Sequence, residues 1–408
     1  MNKTNKLDDI ILNFLKKYCF EILFFIITVI SLKVRTNFMK LQSGDYQNFL
    51  YNWFMQIKEG GGIFALKQAI GDYNIPYLFI IAMLSYLPIS PLISIKMVSI
   101  IFDYAMAIIS MLIIYEIFKD KKNKHIYALL TYSIIAILPT VVLNSAAWAQ
   151  CDSIYTTFIL LSLLFIIKEK YFKAFIFFGI AFSFKLQAIF ILPVLIIIYL
   201  ANKKFPIYYF LIIPIVNLLM CLPAIIMGRS IISCIAIYFN QTGTYTDYIS
   251  MNFPSIYAML IKPIGESNLI ANVDKAFSNF GILFTLSIFV IIAIIVIYKD
   301  IKLNKKMIIN LSLWSVMICT FFLPSMHDRY MYMADVISII WFIVNKKKIY
   351  IPIAVNFISL YTYIEYLYAT RNLPIQYVAI LNYALLFILT KDMYFEIKKE
   401  VDVKAIHN

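Results

Sequence analysis

Apolar runs too long for the core of a soluble domain recur along this chain, and short lysine clusters separate them. A run such as 279–298 can cover its surface only with other apolar helices or with lipid tails. The backbone must then satisfy its own polar groups, which in one chain of many such runs means helices. With 62% hydrophobic and 14% charged residues among 408, the chain reads as an all-α polytopic membrane protein.

Spans are expected near 18–33, 90–118, 126–143, 153–167, 172–184, 186–200, 206–227, 279–298, 307–323, 331–344, 349–366 and 376–390, about twelve in all. Several fall short of the ~17–25 residues of an ordinary crossing helix. A cytoplasmic N-terminus puts 24 of the 36 Lys and Arg residues on the inside, in 1–18, 119–124, 168–173, 202–204, 299–306, 345–348 and a tail from Lys391 to Asn408. The positive-inside rule supports that orientation in a plasma membrane. The first span is read as an uncleaved helix, because no small-residue cleavage site follows it and Lys33 and Arg35 come next.

The net charge of +14 does not suggest nucleic acid, since the lysines lie in loops rather than on one amphipathic face. Five cysteines without a CxxC pair and three widely separated histidines suggest neither a disulfide framework nor zinc. No repeat or low-complexity segment divides the chain, so residues 1–408 are expected to form one membrane-embedded domain.

Two loops on the outer side are long. The first, 34–89, holds the apolar run Ile75 to Leu87, too short to cross and expected to lie in or dip into the interface. The second, 228–278, carries Tyr238, Tyr245, Tyr248, Phe253 and Tyr257, as headgroup-level anchors or as a stacking surface for a sugar or lipid-linked ligand.

Polar residues gather at the same outer boundary. Asp45 and Asp72 sit in a repeated frame, Gly44-Asp45-Tyr46 and Gly71-Asp72-Tyr73, where a carboxylate could take a proton from an arriving hydroxyl. Asp152 follows Trp148 and Gln150 at a helix start, where an N-cap is the plain alternative. Lys185 with Gln187 occupies an outer hairpin. His327 and Arg329 offer donors suited to a phosphate, with an Arg329–Asp328 ion pair as the alternative. Asp103 falls mid-span and needs a partner or a wet cavity.

In this order the elements resemble the GT-C superfamily of integral-membrane glycosyltransferases: a first-loop aspartate, Asp72-Tyr73-x-x-Pro76, Trp148-x-Gln150-x-Asp152, Phe184-Lys185-x-Gln187 and His327-Asp328-Arg329. The likeness spans roughly residues 15–345. It is nearest to bacterial enzymes of surface-polysaccharide loci and more distant from dolichyl-phosphate-glucose glucosyltransferases. The resemblance implies inverting transfer of a sugar from a polyprenyl-phosphate donor to a hydroxyl of a glycan or lipid-linked acceptor. It implies Asp45 as general base, with Asp72, Tyr46 and Tyr73 supporting the acceptor or the loop. Lys185, His327 and Arg329 would face the donor phosphate, and Trp148, Gln150, Asp152 and Gln187 would complete the site. His-Asp-Arg replaces the His-Glu-Lys of the eukaryotic relatives, and Asn74-Ile75-Pro76 stands where they show a double proline. With no Asp-x-Asp in the first loop, no cofactor and no divalent metal is expected, although carboxylates there could still bind one. Composition rich in Ile, Lys, Asn, Tyr and Phe fits an AT-rich bacterial genome, hence undecaprenyl phosphate as carrier.

The main alternative is a transporter or flippase of lipid-linked saccharides, which would place ionisable groups near mid-membrane and commonly show repeated halves. A polymerase or an acyltransferase would work at the same boundary, but a membrane acyltransferase would set its histidine deep in a span, whereas His327 lies beside Pro324.

The topology has a direct test. In a cysteine-free background, Asp45→Cys should react with an impermeant thiol reagent on intact cells and Lys122→Cys should not. Labelling of both positions would overturn the orientation.

Overall fold

The computed structural model describes residues 6–243, 247–261, 268–370 and 373–407, and the chain is helical along most of its length. The helices used below are α1 (Lys6–Thr36), α2 (Tyr51–Glu59), α3 (Ile75–Leu84), α4 (Pro91–Ile117), α5 (Lys124–Ile137), α6 (Asp152–Ile167) and α7 (Tyr171–Phe184). They continue as α8 (Leu192–Asn202), α9 (Ile212–Met220), α10 (Ile231–Gly243), α11 (Lys275–Tyr298), α12 (Lys305–Phe322), α13 (Tyr332–Asn345), α14 (Tyr350–Tyr368) and α15 (Ile375–His407). Local chemistry sets several starts. Ser90 accepts from the Ile93 amide with Pro91 behind it, Asn304 accepts from the Lys306 and Met307 amides, and Asp274 from that of Ala276.

Among the described residues, four helices are long and apolar enough to cross a membrane: α4, α11, α12 and the stretch Ile375–Asp402. A fifth arises if α5 and Pro139–Ala147, bent by 47° at the intervening break, count as one span. Other expected spans appear as shorter apolar helices, including α6, α7 and α13. Pro193 and Pro206 mark where 3₁₀ turns interrupt the segments expected at 186–200 and 206–227. The expected tail from Lys391 is not separate. It continues α15, and Asp392 and Glu396 pair there with Lys348 (2.5 Å) and Lys306 (2.8 Å).

Those pairs belong to a lysine-rich pole of the bundle. Lys305 reaches Glu116 at 3.1 Å, and the Lys346 ammonium lies 3.9 Å from the centre of the Tyr127 ring. Helices that end or begin at this pole, α4, α6, α7, α12 and α13, carry their other ends to a second pole, where Asp152, Lys185 and Arg329 lie. Alternating helix direction thus separates the lysine loops from the site by the length of the bundle.

Buried charge fixes the packing between helices. Arg35 and Asp103, 1% and 0% exposed, pair at 2.9 Å, joining α1 to α4. Arg35 also donates to the Ala136 carbonyl and lies over the Tyr104 ring, while the Ser145 hydroxyl donates to Asp103. Asp103 therefore has a partner, and Arg35 is a helix contact rather than a loop charge. Lys96, fully buried on α4, donates to the carbonyls of Phe38 (2.9 Å) and Leu41 (2.6 Å), fastening the turn that leads to Asp45.

The two long loops are folded onto the bundle. α3 is mostly buried, through Ile75, Tyr77, Leu78 and Ile81, so it is packed against protein more than laid on a surface. The second loop contributes β1 (Tyr248–Met251) and β2 (Leu269–Ala271), which with β3 (Met326–His327) make a small sheet in the order β2-β1-β3. β1 runs antiparallel to β2 and parallel to β3, with Ser250 opposite Met326 and Met251 opposite His327. The aromatics expected as anchors mostly pack inward: Tyr238 stacks on Phe182, Phe253 is core, and the Tyr257 hydroxyl donates to the Phe322 carbonyl. Tyr248 is exposed, and Tyr245 lies outside the described residues.

Removing one partner of the Arg35–Asp103 pair strands a charge in an apolar interior, which typically costs about 3–5 kcal/mol. Arg35→Ala should therefore melt well below the wild type in detergent. The double replacement Arg35→Met/Asp103→Leu should recover much of the loss. A single variant with wild-type melting would remove this pair from the stability argument.

Candidate functional site

Asp45 is the hub. It begins the π-helical turn Tyr46–Leu50, and its carboxylate accepts hydrogen bonds from four side chains distant in sequence. Oδ2 takes Gln150 Nε2 at 2.6 Å, Trp148 Nε1 at 3.0 Å and Arg329 Nη1 at 3.1 Å. Oδ1 takes the Tyr366 hydroxyl at 2.5 Å. Tyr366 stacks on the Trp148 indole at 4.3 Å with 13° between the planes.

Trp148 and Gln150 both reach the same oxygen because the chain is bent between them. After the Leu138-Pro139 break, residues Leu143–Ala147 form a second π-helical turn, a geometry frequent at functional sites. Ala149 then adopts φ 65°, a left-handed conformation costly for a residue with a Cβ. The Gln150 amide closes the turn on the Asn144 carbonyl at 2.9 Å, and the Ser43 hydroxyl ties the Trp148 carbonyl to the Asp45 loop at 2.7 Å.

Behind this hub lies a second carboxylate. Asp152 is buried and pairs with Lys185, while its other oxygen accepts from Asn144 at 2.8 Å and lies 3.8 Å from Arg329 Nε. Cys151, not Asp152, stands at the N-cap position, and the Asp152 carboxylate is taken up by the ion pair rather than by capping. The sequence alternative of an Arg329–Asp328 pair is likewise the weaker contact, at 3.9 Å against 3.1 Å to Asp45. Arg329 Nε and Gln187 Oε1 are buried without a hydrogen-bond partner.

The charges of the His-Asp-Arg element differ from what its sequence suggests. Burial, with the nearby Arg329 and Lys185 cations, pushes the His327 imidazole down to about 3, so it is neutral at pH 7. Burial pushes Asp328 up to about 7, opposed by Arg329 and reinforced by Asp45 and Asp152. Burial also works against the Arg329 charge, but Asp45, Tyr73, Asp152 and Asp328 outweigh it and hold the guanidinium protonated.

The remaining predicted residues divide. The Tyr73 hydroxyl donates to Gln150 Oε1 at 3.0 Å, which orients that amide so that its nitrogen faces Asp45. Asp72 is exposed, and its backbone carbonyl accepts from Gln241 on α10. Tyr46 is buried in the core, a packing residue for the loop. The two Gly-Asp-Tyr frames are not equivalent. Gly71 has φ +58° and lies against the Trp53 ring with no room for a Cβ, whereas at Gly44 a Cβ would come 3.1 Å from the Tyr366 hydroxyl, a tight contact only. Asn144 and Tyr366 escaped the sequence reading. Nothing distinguishes Tyr366 from the other tyrosines of 361–368, and Asn144 lies just past the end of the apolar run at 126–143.

Among the described residues, no three His, Cys, Asp or Glu side chains form a metal-holding group. The chain matches no protein-family model and no curated protein.

Asp328 gives a pH signature. Its raised folded pKa means that the stability it lends is complete below its ordinary pKa of 3.8 and is lost as pH rises through about 7. Between those values, Asp328→Asn should lose less melting temperature than the wild type. Identical pH slopes would place Asp328 in an ordinary, solvated setting.

Proposed function

We propose that the protein is an inverting glycosyltransferase that moves a sugar from a polyprenyl-phosphate donor to a hydroxyl of a glycan or lipid-linked acceptor. In this reading about twelve segments pass through the plasma membrane, and the Asp45 pole faces outside the cytoplasm. The observation that carries it is the setting of Asp45: a half-buried carboxylate oriented by four donors and touching an arginine, at one end of an apolar bundle.

The chemistry follows from that setting. An acceptor hydroxyl binds at Oδ1 and gives its proton to the carboxylate as its oxygen bonds to the anomeric carbon. The bond from that carbon to the phosphate oxygen breaks, and its electron pair leaves with the phosphate. Attack opposite the leaving group inverts the centre. Arg329 and Lys185 answer the charge growing on the phosphate. Arg329 is paired with Asp45 and Lys185 with Asp152, so a phosphate has to draw them off as it binds. A phosphate, with more charge and more acceptor oxygens than a carboxylate, is suited to that exchange. Neutral His327 supplies at most a hydrogen bond.

One observation favours a transporter: ionisable residues do lie within helices, at Arg35, Asp103 and Asp335. Arg35 and Asp103 are closed on each other and on the Ser145 hydroxyl, which is the arrangement of a strut between helices. Uptake of lipid-linked saccharide into vesicles without any transfer would support the transporter instead.

Purified protein with radiolabelled undecaprenyl-phosphate hexoses and surface-glycan acceptors provides the test. A positioned base contributes about 10²–10⁴-fold, so Asp45→Asn should bind donor but transfer almost none. Arg329→Ala should weaken donor use about 10- to 150-fold, the equivalent of a lost charge-assisted bond of roughly 1.5–3 kcal/mol. Asp72→Asn should be milder. Transfer that survives in Asp45→Asn but not in Asp72→Asn would move the base to Asp72.

A further inference from the structure

We propose that Tyr366 holds the acceptor's place on Asp45 until an acceptor arrives, and so keeps water from being activated against the donor. The inference rests on the reading of Asp45 as the base.

The two oxygens of Asp45 are not alike. Oδ2 is filled by three donors, of which Trp148 and Gln150 are almost wholly buried and Arg329 is 17% exposed. Oδ1 accepts from Tyr366, which at 36% exposed is the most exposed of the four donors. An incoming hydroxyl therefore reaches Asp45 by way of the phenol, and the phenol already makes the contact that an acceptor O–H would make.

The stack on Trp148 and the bond to Asp45 hold the phenol in place, and Gly44 leaves room for its hydroxyl. The ring lies flat on the buried Trp148 indole, and the hydroxyl sits above Gly44, where a side chain would come within 3.1 Å. A water molecule offers Asp45 one hydrogen bond in exchange for the one it must displace. A sugar acceptor brings several hydroxyls and an apolar ring face, enough to shift the phenol from its stack. The phenol thus favours transfer over hydrolysis. Without it, a water oxygen would bond to the anomeric carbon, the carbon–phosphate oxygen bond would break with its pair leaving on the phosphate, and the water's proton would pass to Asp45. Donor would be consumed for no product.

Tyr366→Phe keeps the stacked ring and removes the hydroxyl. With radiolabelled undecaprenyl-phosphate glucose, galactose and mannose, and no acceptor, it should release free sugar about 5- to 10-fold faster than the wild type, the scale of one lost hydrogen bond. With acceptor, the ratio of hydrolysis to transfer should rise. The further change Asp45→Asn should stop the leak in Tyr366→Phe. Transfer by Tyr366→Phe with a wild-type hydrolysis ratio would overturn the role of Tyr366 while leaving the base intact. Continued hydrolysis after Asp45→Asn, or no turnover of any donor by the wild type, would instead sink the base reading, and this inference with it.

Discussion

An ionised side chain inside an apolar bundle must be met by an opposite charge or by carbonyl oxygens, and this requirement organises the molecule. Arg35 meets Asp103, Lys96 meets the carbonyls of the 38–41 turn, and Lys185 meets Asp152. Each meeting joins segments far apart in sequence. Together they lock α1 to α4, the Asp45 loop to α4, and the start of α6 to the end of α7. Apolar packing alone would let such helices slide, because lipid-like surfaces are nearly interchangeable. Buried pairs give the packing a register.

The site inherits that register. Asp45 is held by Lys96 through the preceding turn and by Ser43 through the Trp148 carbonyl, so the carboxylate and the Trp148 segment are fixed relative to each other. The cost is visible in the backbone: two π-helical turns and a left-handed alanine flank the site. Such departures persist where surrounding contacts over-determine them. The second loop joins the same assembly through β1, which pairs with the strand carrying His327 and so braces the element that presents Arg329.

Charge at the site is closed on itself. Two cations, Arg329 and Lys185, are matched by two carboxylates, Asp45 and Asp152, with Asp328 poised near neutrality and His327 uncharged at pH 7. Such a network is stable without ligand and opens for a group that competes for the cations more strongly than a carboxylate does. Under the proposed reading, a phosphate that draws Arg329 away frees part of Oδ2, while Oδ1 stays under the Tyr366 hydroxyl.

Hydropathy alone located the helix cores, because burial in lipid or protein demands apolar side chains whatever the neighbours, and α4, α6, α7, α11, α12 and α13 lie where the apolar runs are. The lysine clusters marked one pole for the same reason: charge has to leave the apolar layer. Asp45, Trp148, Gln150, Asp152, Lys185 and Arg329 were legible as polar residues at helix ends that proved to be neighbours. Sequence could not show that Lys185 answers Asp152, that Arg329 prefers Asp45 to the adjacent Asp328, or that Asp103 pairs with Arg35 across 68 positions. Nor could it separate Tyr366 from its neighbouring tyrosines or reveal that α3 and most aromatics of the second loop face protein. Those outcomes depend on which groups meet in space, and a hydrogen bond or an ion pair is decided by a few tenths of an ångström that only the packed helices set.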